Sequence, residues 1–409
     1  MKTASIHGRG FTLLELMIAS ALGIIVITTG LAVGAQMQKR ALFEEQTMMA
    51  QVTGRAVKDV ILNDVWRAGV GMGNTPISFS NTDERSAITV WRKPDLTAGV
   101  LPAMPADPTF VQAPTTDLAS DALQIYWGET NGALTLAQCF SGKVRDGNTF
   151  CAPPAASTAL ATPGPTSAIM VSGGTRLACP VTITGVIPGS GLSTSTINID
   201  GTPTPSTACN NTSAAWAATS SSPSDVVNWM AMRLGGVTYR VNWRNNIPTL
   251  EYQPAGQAGW SVLSRDVEQL TVREGIIDFG ETDHSLEWFP SDGTLPAPPV
   301  AHPAISECTL AKFDTTACSL GSQEADGSAV VRPATNLELI KKLRQRVRQL
   351  EVTLVIRTRR ANQDAVQPGV DDEGFVRDGY SRRRFTFTVE PRNFMSVGTF
   401  KLPTGGGTP

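Results

Sequence analysis

The hydrophobic pattern is most regular at the start of the chain. Leu16 to Met37 contains no Asp, Glu, Lys or Arg, and at ~1.5 Å per residue such a helix is long enough to cross a hydrocarbon layer of ~30 Å. Past this run, Leu42, Met49, Val52, Ala56, Val57, Val60, Ile61 and Val65 recur at spacings compatible with one apolar helical stripe. Gly69, Gly71 and Gly73 then stop the helix near Trp66, because alternating glycines are poor helix formers and good terminators. The pattern predicts a helix from Phe11 to Trp66, ~80 Å long if unbroken. Its first half serves a membrane, and its second half docks on a globular head.

Beyond Gly73 the period changes from helical to alternating. Residues 74–225 are rich in Ala, Thr, Ser, Pro and Gly, with strand-like pieces at Ala87–Trp91, Ala122–Trp127, Ala168–Val171 and Val181–Thr184. This stretch reads as a large loop-rich insertion carrying short strands. Residues 226–409 are better patterned. Val237–Trp243 alternates, Asn245-Asn246 makes a turn, and Thr249–Tyr252 returns as a hairpin. Val262-Leu263 and Val267–Val272 extend the set. Gln349–Thr358 and Arg384–Val389 are the strongest strand candidates, with Leu350, Val352, Leu354 and Ile356 sharing one face opposite Gln349, Glu351, Thr353 and Val355. The fold class is α+β, a long N-terminal helix packed on a β-sheet head.

Composition narrows the functional classes. With 34 basic and 36 acidic residues, no global charge excess recruits nucleic acid or an acidic surface. Charged residues make up 17% of the chain, below the usual ~25%. The 6 cysteines all lie downstream of the apolar run, in the part that would be exported, and an even count there favours disulfides. They fall into sequential neighbours, Cys139 with Cys151, Cys179 with Cys209, and Cys308 with Cys318. Fifteen connectivities exist in principle. Nearest-neighbour pairing is preferred because the loops between partners are short and each closure contributes roughly 3 kcal/mol in the chain-entropy picture. A metal site is the weaker rival, since the sequence holds no Cys-x-x-Cys and only His284 and His302 in the head.

The start of the chain has two further peculiarities. The residues before Phe11 are few and polar, with Lys2, His7 and Arg9, and no small-residue cleavage site closes the apolar run, so ordinary signal peptidase is a poor fit. Glu15 sits just inside that run, where a central charge costs ~2.5 to 3.5 kcal/mol and calls for a partner. The segment Gly10-Phe11-Thr12-Leu13-Leu14-Glu15-Leu16-Met17-Ile18 resembles the class III signal of type IV prepilins and type II secretion pseudopilins. The resemblance implies a leader of residues 1–10, cleavage after Gly10 by a membrane-embedded prepilin peptidase, and methylation of the new N-terminus at Phe11. It implies a membrane and filament-core helix over 11–37, continued over 38–73. The new amine at Phe11 would compensate Glu15 within the subunit or in a neighbour, a register device more than a source of net stability. Lys2 and Arg9 place the leader in the cytoplasm and the head outside, although Lys39 and Arg40 follow the span.

In the head, Leu263–Val272, Val352–Arg357 and Arg383–Asn393 resemble segments of minor pilins of the PilW type. The resemblance implies a structural subunit, not an enzyme, without cofactor or metal. It would help initiate a type IV pilus at or near the tip, in the inner membrane of a Gram-negative bacterium with its head in the periplasm, and later on the cell surface. Its partners would be prepilin peptidase, other minor pilins, the major pilin and the inner-membrane assembly platform. The alternatives are a minor pseudopilin of a type II secretion system, or an adhesin or DNA-binding module carried at a pilus tip. For DNA, the basic cluster Lys341–Arg348 would lie near Arg382-Arg383-Arg384 if the two late strands pair, but it lacks interleaved aromatics. Asp371-Asp372-Glu373, with Asp364 and Asp378 nearby, fits no EF-hand spacing and reads as a solvated turn. No nucleophile, base and oxyanion set can be assembled.

Overall fold

A computed structural model describes residues 11–97, 106–154, 156, 158–161, 166–172, 177–191, 193–200, 206–213, 216, 229–257, 259–280, 286–291, 301–324, 327–362, 366–371 and 374–394. They divide into two compact units, Met1–Val52 with Thr358–Arg382, and Thr53–Arg357 with Arg383–Pro409. Helix α1 (Leu13–Arg67) contributes to both. It ends where expected, because Gly69, Gly71 and Gly73 all adopt positive φ, between 58° and 74°, which side chains with a Cβ disfavour.

In the first unit, the segment after residue 357 doubles back on itself. Val370 bridges Val376, Asn362 N–H donates to the Gly379 carbonyl at 2.8 Å, and Arg382 holds Asp378 at 2.7 Å.

Among the described residues, the second unit contains two sheets. Strands β1 (Ile77–Ser80), β2 (Asp83–Arg85), β3 (Ile88–Trp91), β4 (Ala122–Thr135), β5 (Arg145–Asp146), β6 (Thr149–Ala152), β7 (Thr166–Ser172), β8 (Leu177–Ile187), β9 (Ser195–Asp200), β10 (Trp229–Arg244), β11 (Ile247–Pro254) and β12 (Ser261–Ser264) form the larger one. Its main order is β12-β11-β10-β7-β8-β9-β6-β5, with β4 also paired to β10 and β3 to β4. Strands β13 (Val267–Ile277), β14 (Leu286–Phe289), β15 (Val347–Arg357) and β16 (Arg382–Val389) form the smaller sheet in the order β14-β13-β15-β16. Between β14 and β15 come two short helices, α2 (Leu310–Asp314) and α3 (Asn336–Gln345). Thr335 caps α3 by accepting the Glu338 N–H at 3.1 Å. A long apolar helix followed by a large antiparallel head is the α+β architecture expected.

The hairpin turn at Asn245-Asn246 takes φ of 53° and 60°, the left-handed pair that a two-residue β10–β11 connection demands. In β15 the alternation holds: Leu350, Val352, Leu354 and Ile356 are fully buried, and Val355 on the other face is buried as well.

Residues 74–225 carry more strand than their composition suggests. The four pieces foreseen there fall in β3, β4, β7 and β8, but β1, β2, β5, β6 and β9 were not foreseen, and the larger sheet runs on past residue 225 into β10. Strands as short as Arg145–Asp146 leave no period to detect. They are held by pairing to longer neighbours and by an apolar core of Phe150, Met170, Ile183, Ile197, Trp216 and Trp229.

Candidate functional site

The N-terminal segment begins with a reciprocal cap. Thr12 Oγ1 accepts the Glu15 backbone N–H at 3.2 Å, and the Glu15 carboxylate accepts the Thr12 backbone N–H at 3.0 Å and its hydroxyl at 3.1 Å. This is a capping box, which satisfies two of the donors that a helix start leaves unpaired. It also sets a negative charge at the positive end of the helix dipole. The Thr-x-x-Glu spacing is a legible signal, yet Glu15 was assigned from sequence only to a new amine at Phe11. In the present chain its partner is Thr12. Gly10 and His7 lie outside the described residues.

Around this cap the apolar side chains face outward. Phe11 is 86% exposed, and Leu13, Leu14, Leu16, Ile24, Ile25 and Leu31 are all exposed too. Among the described residues, α1 is the one helix long and apolar enough to cross a membrane, and none of its apolar window is buried against protein. Leaving so many apolar side chains in water is costly, at ~25 cal/mol per Å². The segment therefore requires lipid or other helices around it.

The lower part of α1 is fixed to the second unit by a different face from the one expected. Val57, Ile61 and Val65 are buried as predicted, together with Gly54 and Ala68, but Ala56 and Val60 point outward. Farther up, Leu42 (56% exposed), Met49 and Val52 are exposed as well, while Ala50 is buried. The expected stripe merged two faces because apolar character alone does not say which face meets the sheet. Small residues decide it, since they let the backbone approach closely. A Cβ on Gly54 would stand 2.5 Å from the Phe385 ring.

Polar contacts fix the register of this docking. Tyr239 of β10 donates to Asp64. Burial raises the Asp64 carboxyl above its ordinary range despite that hydrogen bond and the nearby Arg67. Lys58 stands over the Phe387 ring at 5.6 Å, and Arg67 over Trp127 at 4.3 Å. At the helix end, Asn393 Nδ2 donates to the carbonyls of Trp66 at 3.3 Å and Ala68 at 3.1 Å, while Arg392 stacks on Trp66 at 4.7 Å. These bonds satisfy carbonyls that a helix C-terminus leaves unpaired, which gives the Arg392-Asn393 pair a physical role.

The remaining candidates resolve into structural contacts. Each of the three sequential cysteine pairs is placed at bonding distance, with Cα separations of 5.4, 5.7 and 5.8 Å. The basic cluster is divided among partners: Lys341 pairs with Glu84, Lys342 and Arg346 pair with Glu324, and Arg344 is buried. The late strands do pair, but the contacts Gln349 to Glu390 and Thr353 to Thr386 mark them as antiparallel. Arg383 and Arg384 therefore stand toward the end of β15 away from Val347, and do not extend the cluster. Asp371 closes a local turn by accepting the Phe375 N–H at 2.8 Å. Asp364, Asp372, Glu373 and His284 lie outside the described residues. His302 stacks on Phe289 and places Nδ1 2.9 Å from the Ala317 carbonyl.

Residues 7–31 match the family described as the prokaryotic N-terminal methylation motif. The chain carries an N-terminus like that of a type IV pilin or pseudopilin precursor. That motif spans the cap and the exposed apolar run, and it points to processing by prepilin peptidase, membrane anchoring and a structural subunit that assembles with other pilus components. No curated protein and no solved structure matches the chain.

Proposed function

We propose that this pilin-like precursor is a minor pilin of the PilW type, a structural subunit of a type IV pilus that helps initiate assembly at or near the tip. Prepilin peptidase cuts after Gly10 and methylates Phe11, and the subunit waits in the inner membrane of a Gram-negative cell with its head in the periplasm. The observation that carries this reading is the continuous helix in which no described residue of the methylation motif, 11–31, is buried. Its exposed apolar residues Leu42, Met49, Val52, Ala56 and Val60 extend that surface beyond the membrane run. They suit packing against the helices of other minor pilins, the major pilin or the inner-membrane platform. After processing, the Phe11 amine competes with Thr12 for Glu15, so the carboxylate passes from a helix cap to a charge partner.

Deleting the gene and scoring surface pili, twitching, protein secretion and DNA uptake separately tests the assignment. Loss of pili and twitching with secretion intact is the expected pattern. Loss of secretion with normal pili would assign the subunit to a type II secretion system instead.

A further inference from the structure

Where the segment after α1 meets α3 and the two sheets, a group of buried polar side chains lies apart from the exposed apolar surface of α1. Asn74 follows the terminating glycines, Trp91 ends β3, Glu274 lies on β13 and Arg344 is in the last turn of α3. Asn74 Nδ2 donates to the Arg344 carbonyl at 2.8 Å, and the Arg344 guanidinium stands 5.3 Å from the Trp91 ring. Glu274 and Arg344 are 1% and 4% exposed and attract one another. No direct ion pair joins them among the described residues. Four atoms, Asn74 Oδ1, Trp91 Nε1, Glu274 Oε1 and Arg344 Nε, are buried with no hydrogen-bond partner among the described residues.

Buried polar atoms without partners are rare in folded proteins, and a separation too long for a direct bond is the geometry that water bridges. The four atoms are two acceptors and two donors, the complement of the two donors and two acceptors of one water molecule. A cation would face Arg344, and an anion would face the nearby Asp121. A small neutral molecule meets neither objection.

We propose that Asn74, Trp91, Glu274 and Arg344 enclose an internal water site joining the segment after α1 to α3 and the smaller sheet. Glu274 is its titrating member. Burial foremost pushes its carboxyl up to about 8, against the pull of Arg344 and with the help of Asp121. Asp121 is itself held by Arg92 at 3.0 Å, and Asp83 and Arg85 of β2 act electrostatically on Arg344. A carboxyl raised on folding contributes stability that is full below its unfolded value of about 4.5 and is lost as pH rises through about 8.

The test uses the full-length chain in detergent. A high-resolution structure should show ordered density within hydrogen-bonding distance of these atoms. Its melting temperature should fall between about pH 4.5 and about 8, and Glu274→Gln, which keeps the acceptor but cannot ionise, should flatten that fall. A direct Glu274–Arg344 contact with no density between them would overturn the site, as would wild type and variant falling in parallel. The structural arm needs no variant and decides the question even if Glu274→Gln fails to fold.

Discussion

At the scale of single residues, glycine and threonine shape the assembly helix as much as its apolar side chains do. At Gly54 α1 comes close to β16, and a Cβ there would meet Phe385 at 2.5 Å. Gly54→Val should destabilise the full-length protein by ~1 to 3 kcal/mol, the usual cost of overpacking a close contact. Thermal melts should show this loss, and an unchanged melting temperature would mean that the helix is not held as described. The sequence singled out Gly10, Phe11 and Glu15 through their resemblance to a prepilin signal. It did not reveal Gly54, whose value lies in the absence of a side chain opposite a ring more than 300 residues away, a relation visible only once β16 is folded against the helix.

At the scale of elements, what repeats was legible and what depends on a partner was not. The apolar run, the terminating glycines, the Asn-Asn hairpin and the alternation of β15 each follow from local periodicity or turn chemistry. Strands of two to four residues such as β5 and β6 carry no such period, and their place is set by neighbours and, for β6, by the disulfide Cys139–Cys151. The docked face of α1 was misread for a related reason. Two apolar faces lie side by side, and the one bearing Gly54 allows close approach. The other face is free to meet other subunits. Met49→Lys, which changes a residue 51% exposed, should leave the melting temperature within about 0.5 kcal/mol of wild type in stability terms. It should nonetheless lower the amount of surface pili. Normal piliation in that variant would show that the exposed stripe plays no part in assembly.

At the scale of the whole molecule, a membrane-competent helix and a disulfide-bearing β head answer to different surroundings. The helix needs lipid or other helices, because its apolar window is buried against nothing in its own chain. The head is stapled by three disulfides, which persist in an oxidising compartment outside the cytoplasm. On the route we propose, passage from one setting to the other depends on what is removed at Gly10 and what is left at Phe11. Mass spectrometry of the N-terminal peptide, taken from the protein isolated from cells, tests this most directly. An N-methylated peptide beginning at Phe11 is predicted; a peptide that retains Met1, or one beginning after Met37, would contradict it.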